Sequence, residues 1–557
     1  MAEHRRTGGL RPAAGAVLCA VALGLLALPG AARAEDERES LESLRQTTLA
    51  LIEALVQSGV LTREKADALI ADAKKRAAAS AARPEPPVVR VPYVPQVVRD
   101  QIRNEVREEV IARAKLERWG VPNATAEWTD RIALEGDIRV RQQNDRPGKG
   151  NPSPLDFLGD SLAGVTRAPD FAAGTALGLP TASTQDERER LRLRARLALN
   201  ARVSDSVTAG LRLATGSATD RVSTNQTLGQ NFNRYAFLLD RAYVKVDPAE
   251  WASVSAGRMP NPWFSSDMVW SENLNFEGVA ASLRRPESPA AAWLPFATVG
   301  YFPVRESSPT RRSRSIIGVQ AGVQWEFNEL TRVRVGLAQY RFQGFEGRVD
   351  GDYDAVSGPG RSYGQFEYEA ALRQRGNTLF LTNNPFEIQS GLTPDKARWG
   401  LAARFKPVVL TAAAELAHFA PVFVGLTGEV VRNSAYSRDE VIARTGVYLD
   451  DARVFGVNGR ITVGAQQVRQ PGDWQFSLAY RWLGSDAVPD AFVDSDLGGG
   501  GTNIRGLTVG FNWGFARDSQ LGLRYLSAQT ISSPTVQPAR KDRYGIDSLQ
   551  VDLNVRF

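Results

Sequence analysis

The sequence predicts an all-β fold: a transmembrane antiparallel β-barrel of 16 or 18 strands, preceded by a short helical or coiled-coil segment. Apolar and polar residues alternate from Leu191 to Val203, and the same period of two recurs as far as the C-terminal residue. Short polar turns also alternate with long loops rich in Gly, Asp and Asn. The alternating segments have about the length that a tilted membrane-spanning strand requires, roughly nine to eleven residues.

The composition excludes several classes of protein. The 557 residues include one Cys and two His, which rules out a disulfide scaffold and a Cys-rich metal domain. The formal net charge of +6 falls further if residues 1–34 are removed, because that segment holds four Arg and one Glu. A nearly balanced charge does not indicate nucleic-acid binding. We therefore expect no nucleic-acid partner, no metal and no cofactor.

Residues 1–34 have the pattern of a secretory signal peptide. Arginines precede an apolar run from Ala13 to Leu28, and small residues stand at Ala32 and Ala34, where a signal peptidase would cleave. Export combined with a barrel predicts the outer membrane of a Gram-negative bacterium, surrounded by outer-membrane lipids and lipopolysaccharide.

The segments between the signal peptide and the barrel have distinct compositions. Residues 35–83 carry apolar positions three and four apart, which predicts a periplasmic helical hairpin or coiled coil. Five prolines within 84–97 predict an extended linker. A helix and lead-in are expected at 98–127, followed by the barrel at 128–557.

Alternation alone would also fit a soluble β-sandwich or a β-solenoid. A membrane barrel is favoured because aromatic residues recur near predicted strand ends, as interfacial girdles require; these are Trp251, Trp325, Phe327, Tyr340, Trp399, Phe405, Trp482, Trp513 and Phe515. The number of candidate strands is odd, about seventeen. Either a strand is hidden in 343–396, or Pro407 splits a single pass over 397–419, so 16 and 18 strands both remain open.

Several stretches of the chain resemble the bacterial outer-membrane "putative porin" family; they are Ala256–Trp263, Asn275–Val279, Gly376–Phe380, Gly472–Trp474 and Asp494–Asp496 with the glycines that follow. The resemblance covers nearly the whole mature chain. It implies a general-porin-like barrel with an N-terminal periplasmic helical segment, and a water-filled channel for passive diffusion of small hydrophilic solutes and ions. It further implies a homotrimer, and a terminal Phe557 that the barrel-insertion machinery reads as its assembly signal.

Side chains between the lipid-facing residues should line the pore, and most of the charged ones are basic; they are Arg139, Arg141, Arg192, Arg194, Arg196, Arg202, Arg212, Arg241, Lys245, Arg332, Arg334, Arg404, Arg460, Arg481 and Arg524. Inward acids on the same strands are fewer. A low-dielectric wall of one charge sign concentrates counter-ions, which predicts a preference for anions. The alternative is weak selectivity, with the arginines paired to acids from the loops.

The loop at 343–396 is long enough to fold into the lumen and narrow it. Its acids Glu346, Asp350, Asp352 and Asp354 are predicted to form a constriction facing the arginines. The last three also resemble the start of a calcium loop, but the expected Gly and closing Glu are absent, so no metal is predicted.

Two other functions deserve comparison with a channel. The N-terminal helices could contact peptidoglycan and tether the envelope, with the barrel as an anchor that transports little. An outer-membrane hydrolase would need a base, and His418 is the only His that follows the signal peptide. His418 shares its parity with Leu410 and Leu416, so it is expected to face lipid, and we predict that the protein is not an enzyme.

Overall fold

The fold is taken from a computed structural model, which describes Val106 and residues 131–157, 160, 164–167, 184–286, 292–308, 311–349, 364–383, 397–449, 453–534 and 543–557. These ranges lie in the second of two compact units, Asn123–Phe557, apart from Val106. The predicted signal peptide, the helical segment at 35–83 and the linker fall outside the described residues. So does nearly all of the predicted helix and lead-in at 98–127, which remain predictions.

Twenty strands are present in the described ranges, and sixteen of them are the staves of one closed antiparallel barrel. In chain order they are β1 (Ile132–Pro147), β2 (Val165–Thr166), β3 (Arg188–Ser204), β4 (Val207–Ala214), β5 (Gln226–Thr227), β6 (Leu238–Ala249), β7 (Ala252–Met259), β8 (Phe276–Arg284), β9 (Trp293–Arg305), β10 (Arg314–Asn328), β11 (Thr331–Gln343), β12 (Leu379–Leu381), β13 (Trp399–Leu401), β14 (Pro407–Phe419), β15 (Val422–Asn433), β16 (Phe455–Gly464), β17 (Trp474–Leu483), β18 (Ile504–Ala516), β19 (Ser519–Thr530) and β20 (Gly545–Arg556).

Four short strands are not staves. The two-residue β5 pairs with the edge of β3, whereas β2, β12 and β13 form a separate three-stranded sheet among the loops. The regular structure also includes an α-helix, α1 (Arg438–Thr445), and three short 3₁₀ turns, Pro154–Phe157, Asp490–Phe492 and Leu497–Gly499.

The barrel closes where the first stave meets the last. β1 pairs with β20 from Asp137 opposite Arg556 to Pro147 opposite Ile546, and it pairs with β3 on its other side. The backbone hydrogen bonds of every stave are therefore satisfied by two neighbours, which is the condition for an extended chain to cross lipid. The sequence left 16 and 18 strands open, and the structure has 16.

Of the two explanations for the odd strand count, a single pass within 397–419 agrees with the 16 staves, and no separate stave lies before Pro407 in that range. Only Trp399–Leu401 is extended there, and it belongs to the small loop sheet rather than to the barrel. The stave begins at Pro407, where a residue without an N–H group is tolerated because it starts the strand. The other explanation, a strand hidden in 343–396, finds no support at residues 364–378, which form turns and loops.

Every second residue of the staves faces outward, and these residues form the apolar face. Leu134 is 61% exposed and Leu337 is 55% exposed, whereas the inward-facing Arg141 is 1% exposed. An exposed apolar surface that continues around a whole barrel has to be covered by lipid, so the barrel is a transmembrane one.

The two ends of the barrel differ in the length of their connections. Five connections of two residues each, such as the one between Asn328 and Thr331, lie at the end that also holds Phe557. We call this the short-turn end. The connections at the other, long-loop end are much longer, and the longest joins Gln343 to Pro407.

The densest apolar packing lies inside the barrel rather than around it. Trp270 stands 5.0 Å from Phe276 and 5.0 Å from Tyr340, measured between ring centroids, and Phe492 joins the same cluster. Tyr340, Trp399 and Phe405 were predicted as girdle residues but are buried in this cluster. Tyr340 faces inward on β11, and the other two do not lie on staves.

Aromatic residues do occur on the outer face near strand ends. Trp293, Trp325 and Phe327 stack at the short-turn end, with 4.2 Å between the first two ring centroids and 3.6 Å between the last two. No helix in the described ranges is long and apolar enough to cross a membrane.

Candidate functional site

The connection between β7 and β8, residues 260–275, enters the lumen, and we call it the crossing loop. Its first anchor is Trp263, whose ring packs edge-on against Tyr340 at 5.2 Å and against Phe302 at 6.0 Å. The wall beneath the ring consists of glycines. A Cβ on Gly318 would lie 2.5 Å from the Trp263 ring, so only glycine leaves room for the anchor.

The far end of the crossing loop reaches the wall formed by β15, β16 and β17. The backbone N–H of Ser266 donates to Glu429 at 2.7 Å. Asp267 pairs with Arg460 at 2.8 Å and with Arg481 at 2.7 Å. Burial alone would raise the pKa of Asp267. The guanidinium groups of Arg481 and Arg460 have the larger, opposite effect and lower the pKa to about 2. The Asp267 carboxylate therefore stays ionised and holds the loop across the lumen at neutral pH.

The crossing loop then returns to the side on which it began. The backbone N–H of Ser271 donates to the carbonyl of Phe492 at 2.8 Å, which ties the turn of the loop to the 484–503 loop. Asn275 donates to Asp240 at 2.7 Å and accepts from Arg241 at 2.8 Å. The loop is therefore fixed at both ends and at its middle, and it narrows the lumen.

The loop between β17 and β18, residues 484–503, packs against the wall around the barrel closure. Asp496 accepts hydrogen bonds from Arg141 on β1 at 3.2 Å and from Arg524 on β19 at 2.9 Å. Asp494 lies 3.6 Å from Arg481. Burial and the neighbouring Asp496 carboxylate raise the pKa of Asp494 to about 6.

The 364–383 segment is bound to the same loop by buried polar contacts. The Tyr368 hydroxyl donates to Asp490 at 2.5 Å, and the Asn377 side-chain amide donates to the carbonyls of Ser485 and Val488 at 2.6 and 2.9 Å. Burial raises the pKa of Asp490 to about 6. Part of the long connection therefore does lie against the inner loops, through Tyr368 and Asn377, neither of which was predicted as a constriction residue.

The inner faces of β1, β3, β4 and β6 carry a continuous basic surface, which we call the arginine wall; its members are Arg139, Arg141, Arg192, Arg194, Arg196, Arg212 and Arg241. Several are neutralised by acids from neighbouring strands. Asp137 pairs with Arg194 at 2.7 Å and with Arg196 at 2.5 Å, and Asp552 pairs with Arg141 at 2.7 Å. The wall is therefore a network of pairs with a surplus of cations.

Two arginines of the wall account most clearly for that surplus. Arg192 donates to the side-chain oxygen of Gln143 at 3.1 Å, and Arg241 donates to that of Asn275 at 2.8 Å. Neither has a carboxylate within ion-pair distance among the residues that the structure describes. Both guanidinium groups are held by neutral amides, so neither is neutralised by a direct ion pair.

Two cavities follow the arginine wall. The larger, about 640 Å³, lies at the long-loop end, and its lining includes both bases and acids: Arg188, Arg190, Arg192 and Arg375 with Asp145, Asp186, Glu187 and Asp220. The smaller, about 300 Å³, lies nearer the short-turn end beside Asp137, Arg196, Arg212 and Arg241. Aromatic packing occupies much of the lumen beside β8 to β11, toward the long-loop end.

Other residues predicted to line the pore lie near the short-turn end. Arg202 is exposed beside the β3–β4 turn, Lys245 pairs with Asp247 at 2.9 Å, and Arg332 pairs with Glu326 at 3.1 Å. These side chains are on the inner parity of their strands, as the alternation predicts. Their function as pore-lining residues stays a prediction.

The prediction for Arg404 fails on geometry. Arg404 precedes β14 and pairs with Glu440 of α1, so it does not lie on a stave. The alternation of inward and outward side chains applies only within a strand, and Arg404 lies outside the strands. Arg404 is therefore removed from the predicted pore lining.

The predicted constriction residues lie in the connection between β11 and β14. Glu346 lies 3.8 Å from Arg312 and 3.7 Å from Arg348, both in loops. Asp350, Asp352 and Asp354 fall outside the described residues. The sequence prediction missed the crossing loop, although Pro260, Pro262 and two tryptophans interrupt the alternation there and mark a loop with apolar anchors.

The C-terminal residue and the single histidine of the barrel both lie at the short-turn end. The Phe557 N–H donates to the carbonyl of Gly136 at 3.0 Å, and the Phe557 ring is 65% exposed. His418 and the Thr331 hydroxyl are 2.7 Å apart at the short-turn end. In the described ranges, no three potential metal ligands are grouped as a metal site would require.

A closed barrel with an apolar exterior, a polar lumen and an inward-folded loop defines the class of outer-membrane channels. The sequence matches the family described as "Putative porin" over residues 45–557, so the chain belongs to that family. Family and fold agree on a general outer-membrane channel of a Gram-negative bacterium rather than an enzyme. No curated protein matches the chain.

Solved structures with a similar fold come from several bacteria. A Salmonella typhi OmpF complex with daunomycin has 10% identity and a TM-score of 0.38, covering 76% of this chain and 97% of its own. The outer membrane channel DcaP of Acinetobacter baumannii has 11% identity, with the same score and coverage. An anion-selective porin from Comamonas acidovorans has 12% identity and a score of 0.38, covering 76% and 99%.

Proposed function

We propose that the protein is a porin through which small hydrophilic solutes and ions diffuse passively, and that it favours anions. The single observation that carries this proposal is the state of Arg192 and Arg241. Each lines a cavity beside the arginine wall, and each is held by an amide rather than by a carboxylate. Cations that lack a direct ion pair, beside a low-dielectric wall, raise the local concentration of anions.

The shape of the lumen supports a path for solutes along the arginine wall. The crossing loop and its aromatic neighbours Trp270, Tyr340 and Phe342 occupy part of the lumen beside β8 to β11. Space beside the arginine wall is lined by charged and amide side chains. A hydrated solute keeps its hydrogen bonds only along the polar side, so it passes the arginines.

Ion pairing limits the strength of the preference. Asp137 faces two arginines, and Asp496 and Asp552 face Arg141, so these residues add little net charge. Most of the arginine wall therefore fits the alternative that the sequence left open, in which paired arginines give weak selectivity. The preference arises from the few arginines that lack an acid.

Liposome swelling with matched solutes tests this function. Glucose, gluconate and glucosamine have similar sizes and differ in charge. We expect liposomes that contain the purified mature chain to swell fastest in gluconate and slowest in glucosamine. Liposomes without protein serve as the control. Equal rates for all three solutes would indicate a channel without charge selectivity and contradict the anion preference. The absence of swelling would contradict the channel and favour the envelope-tethering alternative with little transport.

Several finer features remain part of this proposal. We infer a homotrimer in the outer membrane, surrounded by lipids and lipopolysaccharide, with the segment before the barrel in the periplasm and in contact with peptidoglycan. Phe557 is proposed as the signal for the barrel-insertion machinery. Its ring is exposed at the end of the last stave, where another protein could reach it. Cross-linking in intact cells tests the trimer and the peptidoglycan contact separately.

A further inference from the structure

Arg334 has surroundings unlike those of the arginine wall. It lies on the inner face of β11, three residues after the β10–β11 turn, at the short-turn end. The carbon at the centre of its guanidinium group lies 4.3 Å from the Phe264 ring centroid and 4.4 Å from the Phe296 centroid. Contact with two aromatic rings fixes the plane of the guanidinium group without using its N–H donors.

The charge of Arg334 has no local counter-charge. No carboxylate lies within ion-pair distance of it among the described residues, and its Nε atom is buried without a hydrogen-bond partner there. Buried donors of a charged group are normally satisfied, and an unsatisfied one is costly. A fixed guanidinium group with free donors is therefore prepared for a ligand that brings acceptors.

The neighbouring cavity adds further positive charge. It has a volume of about 370 Å³ and is lined by Arg334, Arg284 and Arg285, and Glu250 is the only acid among the described lining residues. Arg284 ends β8 on the inward parity. None of these residues lines either cavity of the arginine wall, so this is a separate space at the short-turn end.

We propose that this cavity is a binding site for a small oxyanion, a carboxylate or a phosphate, which Arg334 binds with the help of Arg284. A planar guanidinium group matches two oxygens of either anion through parallel N–H bonds. The site lies between Phe264 of the crossing loop and the short-turn end, so it is open to solutes from that end of the barrel. Binding there does not depend on which ions the whole channel prefers.

A purely structural role for Arg334 makes a different prediction. Phe264 belongs to the crossing loop, so the Arg334 contact could serve only to hold the loop on the wall. Removal of Arg334 would then change the stability and the basal conductance, but no property of the protein would depend on added oxyanion. Arg284 separates the two cases because it lines the cavity, whereas the ring contacts that hold Phe264 involve Arg334.

One-sided addition of inorganic phosphate, and separately of succinate, to single channels in a chloride electrolyte tests the site. We expect the full mature chain to be blocked at lower concentration from one side than from the other. Arg334→Gln should raise the half-blocking concentration from that side about tenfold, the loss expected for a charge-assisted hydrogen bond. Arg284→Gln should raise it severalfold.

Arg341→Gln is the matched control, since it removes the same charge from the outer face of the same strand. It should leave the block unchanged. Equal block from both sides in the wild type, or an unchanged half-blocking concentration in Arg284→Gln, would overturn the site. Neither result changes the swelling rates expected for gluconate. Failure of the oxyanion site can therefore be distinguished from failure of the anion preference.

Discussion

Asp267 and Arg481 form a 2.7 Å ion pair that joins the crossing loop to the opposite wall of the barrel. Both side chains are nearly buried, with exposed fractions of 11% and 7%. Because a buried pair that loses one partner leaves an uncompensated charge, its disruption costs roughly 3–5 kcal/mol. The position of the loop, and with it the width of the lumen, therefore depends on this contact.

Asp267→Asn should release the far end of the crossing loop. We expect a larger and noisier single-channel conductance, together with a shift toward anions because Arg460 and Arg481 both lose their nearest acid. Glu272→Gln is the control: Glu272 lies in the same loop, but it is 76% exposed and 3.8 Å from Arg460. If Asp267→Asn and Glu272→Gln conduct identically, the ion pair does not hold the loop.

Gly318→Val should displace the first anchor of the loop. Its Cβ would lie 2.5 Å from the Trp263 ring, and overpacking of this kind costs about 1–3 kcal/mol. We expect a lower thermal midpoint and a weaker near-ultraviolet dichroism signal from the tryptophans. Gly428→Val is the matched control, because nothing lies within 4 Å of a Cβ placed on this barrel glycine. Equal destabilisation by the two changes would contradict the anchoring function of Trp263.

Removal of the unpaired cations should weaken the anion preference. We expect the double change Arg192→Gln and Arg241→Gln to lower the chloride-to-potassium permeability ratio by roughly two- to fivefold, as Coulomb interactions over a few ångströms in water imply. Arg258→Gln removes one charge from the outer face, where Arg258 pairs with Glu277. It should leave the ratio unchanged, so a similar fall in this control would show that the lumen charges are not the cause.

The anion preference should increase as the pH falls from 7.5 to 5. The pKa of Asp494 is raised to about 6, so its carboxyl group takes up a proton over this range and loses its negative charge. Asp267, with a pKa of about 2, stays charged. The reversal potential in a salt gradient measures the change. Asp494→Asn should have the acidic value already at pH 7.5 and a smaller pH response; a full response in this variant would contradict the assignment.

Local alternation predicted the barrel because it reports a property of single strands. The outward parity of Leu134 and Leu337 follows from which neighbours are polar, and no knowledge of distant contacts is needed. The same argument placed Arg194 and Arg196 on the inner face, where Asp137 pairs with both. Their pairing depends on strand register, which the sequence of one strand does not contain.

Features that depend on contacts between distant segments were not predicted from the sequence. Tyr340 looks like a girdle residue near the end of β11, and the packing of Trp263 and Trp270 from the crossing loop explains its burial. The crossing loop itself is short, whereas the 343–396 connection attracted attention by its length and acids. Tertiary contacts rather than loop length decide which connection crosses the lumen.

The reversal potential of the purified protein in a planar bilayer, under a potassium chloride gradient at neutral pH, tests the central claim most directly. The account predicts stepwise conductance increments and a potential displaced toward the chloride equilibrium value. Displacement toward the potassium value, or no increments from a correctly folded protein, would contradict a lumen whose arginines without a direct ion pair guide anions through the barrel.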